Sequence, residues 1–363
     1  KVNATLQSKL QAQGVRVMGY QEIFGYLSAL PASVTVYVDK SRISSAVYNA
    51  LAPHCRQIEG VSVVTMLKSY KNETELAGVH RSMHRDGVAL TRFFMWLEAA
   101  LKRGETPTEV EIDRILAEHR AQSDMYIGDS FDTICGYQDH GAIVHYRATP
   151  ESAYTLRNEG VLLLDSGAQY KDGTTDITRT IALGEAEPQA DLKVDYTLVL
   201  KGHIAIATAQ FPEGTRGNQL DILARKALWD RALSYGHGTG HGVGIALNVH
   251  EGPQNIRTDN NPTPMAVGTF TSNEPGLYRA GKWGIRIENL IVTKENCRSE
   301  FGTFLGFETV TLCYLDNRLV EKSLLTAEEI AWYNAYQEKV YQEISPLLTP
   351  EEAAWLREKT QKL

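Results

Sequence analysis

The longest periodic pattern in the chain begins at Asn72. Leu76, Val79, Met83, Leu90, Phe94, Leu97 and Leu101 recur at steps of three and four or their sums, which places them on one face of a 3.6-residue helix. Asn72 followed three residues later by Glu75 is a capping signature, and Gly104 closes the pattern, so one long amphipathic helix is expected. A second helix is expected to start at Thr106-Pro107, because proline suits the first helical position. Further helical stretches are expected at 189–210, at 218–233 and from Thr326 to about Ile344. Strand-like apolar runs with Gly turns occupy 161–167, 175–183, 268–275, 284–293 and 306–315. Ahead of these, "SVTVYVDKS" (33–41) reads as a strand, "RISSAVYNALA" (42–52) as a helix and "SVVTMLKS" (62–69) as another strand. Helices mixed with hairpins predict an α+β chain with a curved antiparallel sheet, divided into a small unit 1–70 and a main unit 71–363.

Composition narrows the class. The 363 residues are 43% hydrophobic and 22% charged, ordinary values for a globular chain. A net charge of −7 argues against nucleic acid as a partner, since phosphate binding rests on clustered Lys and Arg. No apolar run reaches the length of a membrane span, so no membrane partner is expected. The four cysteines, Cys55, Cys135, Cys297 and Cys313, are far apart with no CxxC pair, which predicts a reducing, cytoplasmic setting.

Two hairpin-like segments hold acids in unusual places. In "LLLDSGAQYKDGTTDITRT", Asp165 follows an apolar run and Asp176 sits in the returning strand, on either side of a turn at Lys171-Asp172-Gly173. In "TFTSNEPGLYRAGKWGIRIENLIVT", Glu274 and Glu288 are equidistant from Gly281, so in a regular hairpin they face each other. Four acids inside apolar hairpins, with only Arg286 nearby to neutralise them, call for multivalent cations. Asp172 reads as a turn residue. The stretch "GHGTGHGVGIALNVHEGP" (236–253) adds His237, His241 and His250 on a backbone too glycine-rich for a helix. Mostly oxygen donors with one imidazole suit Mn²⁺ better than a structural zinc site, with Zn²⁺ and Co²⁺ as alternatives.

These motifs, with "SNEPGLY", "GIRIEN", "VLKGHIAIATAQFPEGT", "ALWD" and "FETVTL", together resemble the Xaa-Pro aminopeptidases of the pita-bread metallopeptidase family, closest to the cytosolic three-domain type. The resemblance runs from about residue 71 to the end. It implies a pita-bread catalytic domain and two divalent metal ions: Asp165 on one ion, His241 and Glu274 on the other, and Asp176 and Glu288 bridging both. It also implies three histidines round the metals, His145, His237 and His250, and Arg286 beside the second bridging glutamate. His140 has no motif position and reads as structural.

The implied reaction is hydrolysis of the N-terminal X-Pro bond of peptides with proline at the second position, through a metal-bridging hydroxide. His145 and His250 are the expected oxyanion and positioning groups, and His237 and Glu274 the expected proton carriers. A homodimer is implied. The three-domain type carries an N-terminal domain that is expected to be missing here, with residues 1–70 a partial middle domain. Rival readings are a prolidase restricted to X-Pro dipeptides, a catalytically weak fragment, and a peptide-binding module that has lost its metals. Five intact ligands and three intact histidines count against the last.

Overall fold

A computed structural model of the protein describes residues 2–363. The chain divides into two compact units, one ending at Leu67 and one starting at Lys68. The first contains α1 (Ala4–Ala12), α2 (Glu22–Ser28), β1 (Thr35–Val38), α3 (Ser45–Asn49), β2 (Arg56–Glu59) and the start of α4 (Val63–Ser69). β1 and β2 pair in parallel, with Thr35 opposite Arg56, and α3 lies in the crossover that such pairing requires. Residues 62–69, expected as a strand, instead form α4. Ser62 accepts the Met66 N–H through its carbonyl at 2.9 Å, so two β-branched valines do not outweigh a helical start at serine. The second strand of this unit is the polar "RQIE", which carries no apolar alternation to reveal it.

The second unit opens with α5 (Glu73–Lys102) and α6 (Glu109–Arg120). Asn72 and Glu75 exchange backbone-to-side-chain hydrogen bonds of 2.9 Å, and Gly104 leaves α5 at φ +81°. Of the seven periodic apolar residues only Leu76 stays half-buried. α6 starts at Glu109 rather than Thr106, because Thr108 and Glu111 form a second capping box.

The hairpins follow: β3 (Tyr126–Asp129), β4 (Ile134–Tyr137), β5 (Val161–Ser166), β6 (Ala168–Tyr170), β7 (Gly173–Thr174) and β8 (Ile177–Ala182). They form two three-stranded antiparallel sheets, β4-β5-β8 and β3-β6-β7. Next come α7 (Ala190–Ala207), β9 (Gln210–Pro212), α8 (Gly217–Trp229), β10 (Gly240–His241) and β11 (Asn255–Ile256). The last strands are β12 (Phe270–Asn273), β13 (Gly276–Arg279), β14 (Trp283–Arg286), β15 (Asn289–Ser299) and β16 (Gly302–Thr309). β12, β15, β16 and β9 make a four-stranded antiparallel sheet, and β13 pairs with β14. The chain ends in α9 (Ala327–Ile344), capped by Thr326, and α10 (Pro350–Lys359), a helix beyond the expected set.

Two runs expected as single strands are interrupted. The 284–293 run breaks at Ile287 and Glu288, between β14 and β15. The 306–315 run leaves the sheet after Thr309. Residues 310–315 are apolar because they are buried, and the carbonyls of Cys313 and Tyr314 accept hydrogen bonds from the buried guanidinium of Arg179 at 2.8 Å. The main core gathers Tyr196, Val199 and Leu200 of α7 with Ile285, Leu290, Leu312, Tyr333 and Ile344. A second core packs α5 and α6 onto Leu162, Leu164, Ile177 and Ile181 of the β5–β8 hairpin. Both hairpins bearing the acids therefore rest on packed helices.

Candidate active site

Asp165 is the penultimate residue of β5 and pairs with Thr178 across the ladder. Asp176 lies just before β8, two residues ahead of Thr178, so the two aspartates stand diagonally on one face. The 274–288 hairpin has the predicted symmetry: Gly276 opposes Arg286 and Asn273 opposes Asn289, both centred on Gly281. Glu274 and Glu288 fall in the gap between these two ladders. Their backbone N–H groups go elsewhere, to Thr239 O at 2.7 Å and Thr178 O at 3.1 Å. The second bond ties one acidic hairpin to the other.

The histidine stretch closes the site from the opposite side. None of Gly236, Gly238, Gly240, Gly242 or Gly244 has a positive φ. Their role is close approach: a Cβ on Gly240 would lie 1.9 Å from Ser272 O, and one on Gly242 would lie 2.1 Å from Glu251 O. This brings His241 N within 2.9 Å of Ser272 Oγ, two residues from Glu274. The loop itself is fastened from below. Arg225 of α8 donates to the carbonyls of Tyr235 and His237, at 2.7 and 2.8 Å, and pairs with Asp221, which accepts from Thr239 Oγ1 at 2.6 Å.

All nine predicted residues line one cavity of about 710 Å³. Ligand-donor atoms of Asp165, Asp176 and Glu288 lie within 4.8 Å of one another, as do those of His241, Glu274 and Glu288 and those of Asp176, His241 and His250. His241 Nε2 also stands 3.4 Å from Asp176 and 3.5 Å from Glu274. Its Nδ1 donates to Gly242 O at 2.9 Å, which leaves Nε2 as the donor atom facing the acids. Asp165 Oδ1 is buried without a hydrogen-bond partner, and Asp165 Oδ2 accepts from Arg286 Nη2 at 2.5 Å. Four carboxylates outnumber the cations beside them, Arg286 and His241. Burial, compounded by the neighbouring acids, raises the pKa of Asp176, of Glu288 and of Glu274, the last to about 7. Burial opposes a charged His241, yet Asp176 and Glu274 hold its pKa up at about 9. The donor set and its excess of carboxylates fit divalent cations.

His237 and His250 differ from His241. Burial lowers both to about 4, with Arg286 adding to the effect on His237 and His241 to that on His250. His237 Nδ1 donates to Gly238 O, so Nε2 accepts from Tyr278 OH at 2.8 Å. The same hydroxyl accepts from Arg286 Nη1 at 2.6 Å, and Arg286 Nε reaches Thr178 Oγ1, which donates to Glu288. Tyr278 and Thr178 thus join the site although the sequence reading passed over them. Strand alternation carries the missed signal, because Glu274, Tyr278, Arg286 and Glu288 share one face of the hairpin. Phe131, Ile134 and Val144 add apolar side chains to the cavity lining, and Arg257 adds a further cation.

A model of metallopeptidase family M24 matches residues 77–295, 219 of the 363 residues. The chain belongs to metallopeptidase family M24. The C-terminal region of that family matches 303–363, and a creatinase/prolidase N-terminal domain matches 1–75. A probable Xaa-Pro aminopeptidase P of Coprinopsis cinerea is 42% identical over 369 residues, covering 96% of this chain and 59% of the relative. Aminopeptidase P2 of Arabidopsis thaliana is 47% identical over 291 residues, covering 79% of this chain and 41% of that one. The chain thus spans about half the length of these relatives. The crystal structure of an X-prolyl aminopeptidase of Caenorhabditis elegans, described as a cytosolic enzyme with a di-nuclear active site, aligns with a TM-score of 0.93 at 37% identity. It covers 99% of this chain and 60% of that one. The architecture is the expected α+β pita-bread fold. No described helix is long and apolar enough to cross a membrane.

Proposed function

We propose that this chain is the catalytic part of an Xaa-Pro aminopeptidase, a metallo-exopeptidase that removes the first residue of peptides with proline at position two. The observation that carries the reading is the pair of donor triads sharing Glu288 in one cavity with three further histidines. Asp165, Asp176, His241, Glu274 and Glu288 would hold two divalent ions, manganese before zinc or cobalt. When bound, the ions supply Lewis-acid polarisation of the scissile carbonyl and an acidified water at neutral pH.

The chain's own groups do the rest. Arg286 fixes Asp165 and, through Tyr278, the orientation of His237. His145 and His250 stabilise the oxyanion and position the peptide. Glu274 and His237, both lining the cavity, are the groups that move a proton toward the proline nitrogen. That nitrogen carries no N–H, so recognition of the ring falls to shape, and Phe131, Ile134 and Val144 offer the apolar surface. The enzyme works in the cytosol as a homodimer, with 71–363 as the catalytic domain and 1–70 as a separate small domain.

The test is an assay with Mn²⁺ on an X-Pro-Y tripeptide and the matching X-Pro dipeptide, following free X. Tripeptide cleavage with little dipeptide cleavage is expected. The reverse preference would make the protein a prolidase, and no release from either, with metal bound, would overturn the enzymatic reading. Light scattering of the same sample reads the dimer.

A further inference from the structure

The segment that carries His145 hangs from a single buried carboxylate. Glu109, the first residue of α6, is fully buried. It accepts four donors from one short stretch of chain: Tyr137 N at 2.8 Å, His140 Nδ1 at 2.9 Å, Tyr146 OH at 2.9 Å and Tyr154 N at 2.7 Å. The His140 ring is stacked on Tyr154 with centroids 3.5 Å apart and planes at 13°, and Tyr146 packs beside it at 4.4 Å. His140 and Tyr146 are thus the two ends of a strap whose interior holds Val144 and His145, both lining the active-site cavity.

The strap is closed internally as well. Ile143 N donates to His140 O at 3.1 Å, and Tyr146 N donates to Ile143 O at 3.0 Å. It also lies directly on the catalytic hairpin: a Cβ on Gly284 would sit 1.6 Å from Gly141 O, two residues along β14 from Arg286. The imidazole of His145 forms no hydrogen bond with another described residue, so its place in the cavity follows its backbone.

We propose that Glu109, His140 and Tyr146 form a clamp that sets the position of His145, with His140 a positioning residue. A neutral spacer at His140 would need neither the buried carboxylate nor the stacked tyrosine. The clamp rests on the aminopeptidase reading for what His145 does, and its geometry stands apart from that reading.

The test compares His140→Phe, which keeps the stacked ring and removes the N–H, with Tyr146→Phe, which removes one hydroxyl. Both are made in the Mn²⁺-loaded full chain and again with His145→Ala. Misplacing a reacting group by about 1 Å costs up to ~10²-fold, so a drop of about tenfold in kcat is expected for each, with KM and Mn²⁺ affinity within twofold. In the His145→Ala background the same changes should cost nothing further. An equal loss with and without His145, or a fall in Tm with unchanged kcat, would overturn the clamp. If the parent chain releases no residue from X-Pro-Y, the aminopeptidase reading fails and the clamp is decided by chemical modification. Reaction of His145 with diethyl pyrocarbonate, mapped by mass spectrometry against His250, should then change severalfold in both variants. An unchanged rate would overturn it.

Discussion

The carboxylate–histidine cluster of the cavity and the Asp221–Arg225 pair beneath the histidine loop both bury charge, and they handle it in opposite ways. Asp221 meets Arg225 in a bidentate pair, accepts from Thr239, and the spare Arg225 donors end on two loop carbonyls. The Tyr235 ring covers the guanidinium at 3.9 Å. In the cavity cluster, four carboxylates outnumber Arg286 and His241, and one buried oxygen of Asp165 has no partner. A saturated pair holds a fold together, whereas an unsaturated cluster is a place where a cation completes the structure.

The largest effect that follows comes from Asp176→Asn. It removes a donor from the triad with Asp165 and Glu288 and from the contact with His241. Turnover is expected to fall at least a thousandfold, about 4 kcal/mol of barrier. The same change relieves like-charge repulsion, so Tm measured in EDTA should rise above that of the parent. A metal-free Tm that falls instead would mean that the cluster is balanced after all.

The opposite signature is expected from Arg225→Ala. Breaking a buried pair strands Asp221 and frees the carbonyls of Tyr235 and His237, a loss of about 3–5 kcal/mol. In urea denaturation this lowers the midpoint whether or not metal is present. A midpoint that recovers fully on adding Mn²⁺ would erase the distinction between the two regions.

Much of this contrast was legible in the sequence, for a physical reason. Aspartate inside an apolar run is conspicuous, so Asp165 and Asp176 stood out, and the symmetry of Glu274 and Glu288 about Gly281 gave their register. The capping signature at Asn72 and Glu75 placed the start of α5. What stayed hidden depends on partners distant in the chain. Arg225 reads as an ordinary helical arginine until the loop carbonyls arrive. His140 reads as a polar loop residue until Glu109, 31 positions earlier, reaches it. The run at 310–315 reads as strand because burial alone makes it apolar, and nothing local announces that Arg179 takes its carbonyls. Residues 62–69 misled by their two valines, where local helix signals decided the outcome.

Metal addition sharpens the comparison at intermediate scale. Mn²⁺ at a hundred times its Kd should stabilise the parent by about 2.7 kcal/mol for each ion bound, since the ions bind the folded cluster alone. Differential scanning fluorimetry should show this rise in the parent and in Tyr278→Phe. It should be absent or much reduced in Asp176→Asn. An equal rise in all three would place the cations outside the cluster.

The smallest effect expected is that of Tyr278→Phe, which lies between the two regimes. The hydroxyl accepts from Arg286 and donates to His237 Nε2, so it links the cation that steadies Asp165 to an imidazole held neutral by burial. Removing it leaves every metal ligand in place and keeps the ring against His237, where the centroids are 5.5 Å apart. One net hydrogen bond contributes about 1 kcal/mol, and two bonds share this oxygen. A fall of about tenfold in kcat is therefore expected, with Tm within a few degrees of the parent and unchanged Mn²⁺ affinity. If Tyr278→Phe lowers metal affinity as Asp176→Asn does, the tyrosine belongs to the cluster's charge balance. If it lowers only kcat, its task is to hold the His237 ring in its place and tautomer through the bond to Nε2.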